Sequence, residues 1–136
     1  MVFDIDNNGQ CILHIQLHRD GKKSSLLRAL IDTGSFYNLA NPGTAGIELV
    51  DTGEESKILF IGGKHVENRI YACEIYIPSL KIGGKFTFCA FPHETYETGF
   101  DAILGTSFLN NFMFQYNYPE HSKFSIEPVK LGQPPK

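Results

Sequence analysis

A carboxylate that follows directly on an apolar run is the first candidate for chemistry. Residues 29–31 are all apolar, and Asp32, Thr33, Gly34 and Ser35 come next. Removing a carboxylate from water costs free energy, so an acid in this position suggests that something there needs a carboxylate. The same residue types also form ordinary turns, and local composition alone favours a catalytic segment and an Asx-type turn equally.

A second Asp-Thr-Gly triplet, Asp51, Thr52 and Gly53, has to be weighed against the first. A two-lobed aspartic protease carries two such triplets. Here too few residues separate the triplets to build the second lobe that such a protein would need. Glu54 and Glu55 also follow the second triplet, and like charges would crowd a catalytic carboxylate there. We therefore interpret Asp51 as a surface turn residue.

Other patterns that could bind a metal or carry a nucleophile are incomplete. Residues 4–9 match the first half of a calcium-binding EF-hand loop, but the position of the required Glu is taken by Ile15, so we predict a turn that enters the first strand. His14 and His18 lack an evident third ligand. Ser107 lacks the second glycine of the serine-hydrolase elbow, because Leu109 stands in its place. No metal and no cofactor are predicted.

Composition limits the class of protein. The chain has 136 residues, 42% of them apolar and 20% charged, which is sufficient for a packed core without disulfides. The three cysteines are widely spaced, so we expect them in the core or in strands. A formal charge of −3 with scattered cations argues against a nucleic-acid partner. Neither a signal peptide nor a transmembrane segment is visible; the compartment stays open, with the cytoplasm as the default.

Short apolar segments separated by turn residues predict a mostly β protein in which Asp32 ends the second strand of a hairpin. The predicted domain covers residues 1–128, and residues 129–136 are expected to be a frayed tail. A glycine pair, Gly62 and Gly63, is predicted at the tip of another hairpin and suits a moving lid. The predicted strands cover residues 11–17, 26–31, 57–61, 66–77, 85–91, 100–104, 112–116 and 123–128, with a turn at 80–84 and a helix-compatible segment at 106–111.

Two features combine into a family resemblance. The strand that ends in residues 32–35 and a later apolar strand that ends in Ile103, Leu104 and Gly105 flank a glycine-tipped hairpin. This order of elements, over roughly residues 11–128, resembles the retropepsins, the single-lobed family of aspartic proteases. The resemblance implies a mostly β fold, a closed barrel or sandwich with a flap hairpin and one short helix near the C-terminus.

The resemblance also implies roles for individual residues. Asp32 would be the catalytic acid, Thr33 would donate a hydrogen bond across a dimer, Gly34 would let the backbone approach water and substrate, and Ser35 would hydrogen-bond the carboxylate. Leu104 and Gly105 would be structural. The residues expected to contact substrate are Phe60, Ile61, Gly62, Gly63 and Ile103.

Two positions depart from the retroviral members of the family. Ser35 stands where they often have alanine, and Thr106 stands where they typically have arginine. The pattern is therefore more similar to cellular or bacterial members.

The expected activity is that of an aspartic endopeptidase. One carboxylate would accept a proton from water while a protonated partner polarises the scissile carbonyl. One usable triplet per chain implies a homodimer in which two copies of Asp32 meet and cleave a peptide or protein substrate. The alternative is a retropepsin-like module that dimerises or binds peptides without turnover.

Overall fold

The computed structural model describes residues 1–40, 50–59, 65–90 and 99–129, with the backbone alone at 50, 51, 55–59, 65–68 and 90. The described part is mostly β and contains one short helix. Its elements are β1 (Val2–Asp4), β2 (Ile12–Arg19), β3 (Lys22–Lys23), β4 (Leu27–Ile31), β5 (Asn38–Ala40), β6 (Val50–Leu59), β7 (His65–Ile77), β8 (Ile82–Ala90), β9 (Ala102–Leu104), α1 (Thr106–Leu109), β10 (Phe112–Tyr116) and β11 (Lys123–Pro128).

Six of these strands close into a barrel. The order around the barrel is β2, β4, β9, β5, β8 and β7, and the pairing of β7 with β2 completes the ring. Closure pairs both edges of each of these strands, so no open sheet edge has to be protected there. Strands β3 and β6 extend the sheet from β2 and β7.

Alternating side chains explain why these segments form barrel strands. In β2, Leu13, Ile15 and Leu17 are buried while His14 is exposed. In β4 the burial pattern likewise alternates between buried and more exposed positions. The buried set packs into one apolar core, and this period of two is what a strand with one face toward the core requires.

A second sheet of three strands, in the order β1, β11, β10, packs its apolar face on the same core. Phe124 and Ile126 of β11 are fully buried. The Phe124 ring lies 5.3 Å from that of Phe3 and 5.9 Å from that of Phe114, measured between centroids. Aromatic contacts across three strands therefore tie the two ends of the chain together.

Several predicted elements are confirmed. The segments 11–17 and 26–31 pair as the antiparallel strands β2 and β4, with the short β3 between them. The last hairpin occupies the predicted ranges, 112–116 and 123–128. All three cysteines are buried, as expected. The helix after Gly105 is present but ends at Leu109.

Three predictions are wrong. Asp51 is part of β6 and not of a turn: a β-bulge lies between Asp51 and Glu55, and Gly53 has a φ of 82°. A bulge needs the same permissive residues as a turn, which explains the error. Residues 82–84 were predicted to be part of a turn, but they belong to β8. The turn is already closed by the Leu80 and Lys81 amides, which donate to Ile77 O and Pro78 O.

The third error concerns the first strand. It is β1, which pairs with β11 at the other end of the chain. The turn predicted at 4–9 begins after Asp4, which is the last residue of β1, and joins β1 to β2.

The start of the predicted tail is hydrogen-bonded to the segment that follows α1. The Val129 amide donates to Asn111 O at 3.0 Å, and the rest of the predicted tail lies outside the described residues. Within the described ranges, no helix is long and apolar enough to cross a membrane.

Candidate active site

Strand pairing holds Asp32 at the end of β4. The Ile31 amide donates to Cys11 O at 2.9 Å on one side, and the Asp32 amide donates to Leu104 O at 3.0 Å on the other. The ladder between β4 and β9 therefore continues one residue past the strand and includes Asp32. An acid placed in this way has a rigid backbone and a half-buried side chain that solvent still reaches.

The carboxylate of Asp32 lies within a tight turn. The Gly34 amide donates to Asp32 Oδ1 at 2.9 Å, and the Ser35 amide donates to Asp32 O at 3.2 Å. A Cβ on residue 34 would lie 3.2 Å from Asp32 Oδ1, closer than most side-chain contacts. The Asx-turn interpretation is thus correct as a description of the backbone, and it leaves Asp32 Oδ2 without a partner among the described residues.

The hydrogen bond to the Asp32 carboxylate that the resemblance implies for Ser35 is not formed in the structure. Its hydroxyl donates to Tyr37 O at 2.8 Å, so its one proton is directed along the chain and away from the Asp32 carboxylate. The hydroxyl closes a local turn, as serine often does. The hydrogen bond to Asp32 Oδ1 comes from the Gly34 backbone instead.

Gly105 lies directly against the loop that follows Asp32. A Cβ there would lie 2.5 Å from Ser35 O and from Tyr37 O, distances that real Cβ atoms essentially never show. The same approach lets the Thr106 amide donate to Ser35 O at 2.7 Å and the Ser107 amide to Phe36 O at 3.1 Å. The structural role expected for Gly105 thus corresponds to close backbone contact.

Asn38 is a positioning residue that the sequence analysis missed. Its side chain is only 2% exposed; Oδ1 accepts from the Gly105 amide at 2.9 Å, and Nδ2 donates to Thr87 O at 3.1 Å. It thereby joins β5, β8 and the segment entering α1. A polar side chain inside an apolar stretch was the available signal, the same one that identified Asp32.

The other predicted site residues fall into three groups. Thr33 and Gly34 are exposed at the turn, and Ile103 is half-buried opposite Leu30. Leu104 is fully buried in the core. The residues expected near the flap, Phe60, Ile61, Gly62 and Gly63, lie outside the described residues. The strands on either side of them, β6 and β7, are paired up to Leu59 and His65.

Metal ligands do not cluster in the described part of the chain, where no group of three His, Cys, Asp or Glu side chains could hold an ion. In the EF-hand-like segment, Asp6 Oδ1 accepts from the amides of Asn8 and Gln10 at 2.9 and 2.8 Å. That carboxylate caps a turn, as predicted for this segment.

Comparison with known proteins identifies the fold. At the sequence level, no family model and no curated protein matches the chain. Among solved structures, a retropepsin-like aspartic protease from Rickettsia conorii superimposes with a TM-score of 0.59 at 14% identity, covering 91% of this chain and 86% of that one. The chain therefore has the retropepsin-like fold.

Two further structures match less closely. The simian foamy virus (mac) protease gives a TM-score of 0.47 at 16% identity, over 74% of this chain and 92% of that one. The retroviral protease-like domain of Ddi1 from Leishmania major gives 0.48 at 15% identity, over 87% and 90%.

Proposed function

We propose that the chain is an aspartic endopeptidase that acts as a homodimer and hydrolyses peptide bonds with a water activated between two copies of Asp32. The observation that carries the proposal is the placement of Asp32 on a retropepsin-like fold: its amide is held by Leu104 O, its Oδ1 by the Gly34 amide, and its side chain is half-buried. A rigidly held carboxylate that solvent reaches is what a general base requires.

The dimer follows from the chemistry. Hydrolysis by this route needs an ionised and a protonated carboxylate close together. Each chain supplies Asp32 alone, since Asp51 lies in β6 beside a bulge. A two-fold axis through the turn at Asp32 would bring both copies together. Thr33, which is exposed beside Asp32, would then donate a hydrogen bond to the partner's turn.

The remaining assignments concern substrate and scaffold. An extended peptide would lie over the two turns and pair with backbone groups as an added strand. We assign substrate contact to Ile103, which is half-buried, and to the hairpin tip at Phe60, Ile61, Gly62 and Gly63. Leu104 and Gly105 would keep the turn in place. We propose that residues 1–128 form this domain.

The test is Asp32→Asn with Asp51→Asn as its matched control. Both variants lose one carboxylate from an Asp-Thr-Gly triplet. We expect Asp32→Asn to fold normally and to lose roughly three orders of magnitude or more of kcat/KM on a peptide library assayed over a pH series. Asp51→Asn should keep its activity. Equal activity of both variants would refute the assignment of Asp32.

Sedimentation, combined with assays of peptide cleavage and peptide capture, separates the peptidase from the alternative module. The proposal requires a dimer and a specific activity that falls on dilution below the dimer dissociation constant. A dimer that captures peptides without cleaving them, equally well with Asp32→Asn, would identify a binding module. A monomer at all concentrations that still cleaves would rule out the shared dyad.

A further inference from the structure

One face of β4 carries a cation in addition to the candidate catalytic residue. Leu27, Ala29 and Ile31 are buried, whereas Arg28 is exposed and Leu30 is half-buried. Because the hydrogen-bond ladder continues through Asp32, the alternation continues too, so Arg28, Leu30 and Asp32 share one face. The candidate site therefore extends along β4 as carboxylate, apolar side chain and guanidinium.

The neighbouring strand continues the same face. Leu30 is aligned with Ile103 in the parallel pairing of β4 with β9. Both side chains are half-buried and pack against the apolar cluster of Leu39, Cys89 and Phe100. An apolar patch thus separates Asp32 from the Arg28 end of the strand.

The Arg28 side chain makes one hydrogen bond and has no carboxylate partner in the described part of the chain. Its Nε donates to Gly99 O at 3.0 Å, which fixes the plane of the guanidinium. The Asp101 carboxylate accepts from the Arg28 backbone amide at 2.9 Å and forms no ion pair with the guanidinium. Among the described residues, no carboxylate lies within ion-pair distance of this group. The two terminal nitrogens can therefore donate to a ligand.

We infer that Arg28 is a specificity-determining residue of the proposed peptidase, and that it selects substrates with an Asp or Glu side chain near the scissile bond. The inference rests on the proposed function. Arg28 lies four positions from Asp32, or about 13 Å along a strand. An extended peptide has the same rise per residue, so the acidic side chain would lie within about four residues of the cleaved bond. Bidentate pairing with a carboxylate suits a guanidinium of fixed plane.

The experiment compares cleavage of a peptide library by the wild type, Arg28→Gln and Arg28→Glu, with Lys22→Gln as the control. Lys22 is an exposed cation on β3, so its variant has the same net charge as Arg28→Gln. We expect the wild type and Lys22→Gln to favour acidic residues about two- to fivefold, the range for an exposed ion pair. Arg28→Gln should lose the preference, and Arg28→Glu should reverse it toward Lys and Arg.

Salt provides a second readout on the unmutated protein. The preference of the wild type should shrink at 1 M NaCl, where charges are screened over about 3 Å. No acidic preference in the wild type, or an unchanged preference in Arg28→Gln, would overturn the inference while the proposed peptidase activity stands.

If the wild type cleaves nothing, the proposed function fails, and the same library captured on the immobilised protein decides the role of Arg28. Enrichment of acidic peptides that is lost in Arg28→Gln but kept in Lys22→Gln would retain Arg28 as a peptide-selecting residue. Capture without that enrichment would exclude it.

Discussion

Gly105 is where single atoms constrain the site most closely. No side chain fits between residue 105 and the carbonyls that follow Asp32, since a Cβ would meet two of them at 2.5 Å. The Gly105 amide also satisfies the buried oxygen of Asn38. The backbone around Asp32 is therefore held from behind by close contact and by hydrogen bonds.

Gly105→Ala should lower the free energy of unfolding by about 3 kcal/mol or more, because backbone atoms rather than a flexible side chain would have to move. Gly84→Ala is the control, since its Cβ would meet the Phe86 ring at 3.3 Å and that ring can shift. Urea denaturation measures both variants. A loss for Gly105→Ala no larger than for Gly84→Ala would contradict the close approach.

A sequence motif does not specify which hydrogen-bond partner a side chain will have. The Asp-Thr-Gly triplet identified Asp32, but the acceptor of the Ser35 hydroxyl depended on the path of the backbone through Tyr37. Asn38 carried the same signal as Asp32, a polar side chain among apolar ones, and its two partners lie in β8 and in the segment entering α1. Residue type indicates that a partner is needed, and only the fold decides which one.

The connection between β1 and β2 is a turn held by one carboxylate. Asp6 Oδ1 accepts two backbone amides, those of Asn8 and Gln10, and Gly9 completes the turn with a φ of 74°. The turn directs the chain from the three-stranded sheet into the barrel. Its sequence is similar to a calcium loop because both uses need oxygens and a glycine.

Asp6→Ala should cost about 1–3 kcal/mol of unfolding free energy, because two amides lose an acceptor with a charge. Asp6→Asn keeps an oxygen at the same place and should recover most of the loss. Thermal or urea denaturation in calcium-free buffer gives both values. Equal losses in the two variants would show that the charge, and not the hydrogen bonds, is what the turn needs.

Strand boundaries were predicted best where the signals were local. The last hairpin was predicted with its observed ranges, because apolar alternation and turn residues act within a few positions. The glycines at 83 and 84 were misread as a turn, although they pair with β7. Glycine permits both a turn and a strand with close contacts, so its presence alone could not decide.

Burial in the closed core raises the pKa of two cysteine thiols. Burial raises the pKa of the Cys11 thiol from its ordinary value of 9.0 to about 11, with a further contribution from the Asp6 charge. Burial likewise raises the pKa of Cys73, partly offset by hydrogen bonds to the backbone of Glu74 and His18. Both thiols stay protonated in the folded state at a pH where an unfolded thiol ionises.

The free energy of unfolding should therefore decrease as the pH rises from about 9 to about 11. In that window the unfolded state releases the Cys11 proton while the folded state keeps it, so alkali favours unfolding. Denaturation of the wild type and of Cys11→Ala across the window checks this, by comparing slopes rather than absolute stabilities. A slope that is the same in both proteins would contradict the assignment to Cys11.

The amino-acid sequence was sufficient to predict that the chain is mostly β, that Asp32 follows directly on an apolar strand, and that the last hairpin covers 112–116 and 123–128. These features depend on residue type and on spacing over a few positions. The resemblance added that the strand ending at Gly105 lies beside that of Asp32, and β4 and β9 do pair.

The three-dimensional fold was needed to establish the closure of the barrel, the pairing of β1 with β11, and the partners of Ser35 and Asn38. Each depends on residues far apart in sequence, or on the direction in which a backbone atom points. Local propensity specifies which groups need partners, and the free energy of the whole fold selects those partners.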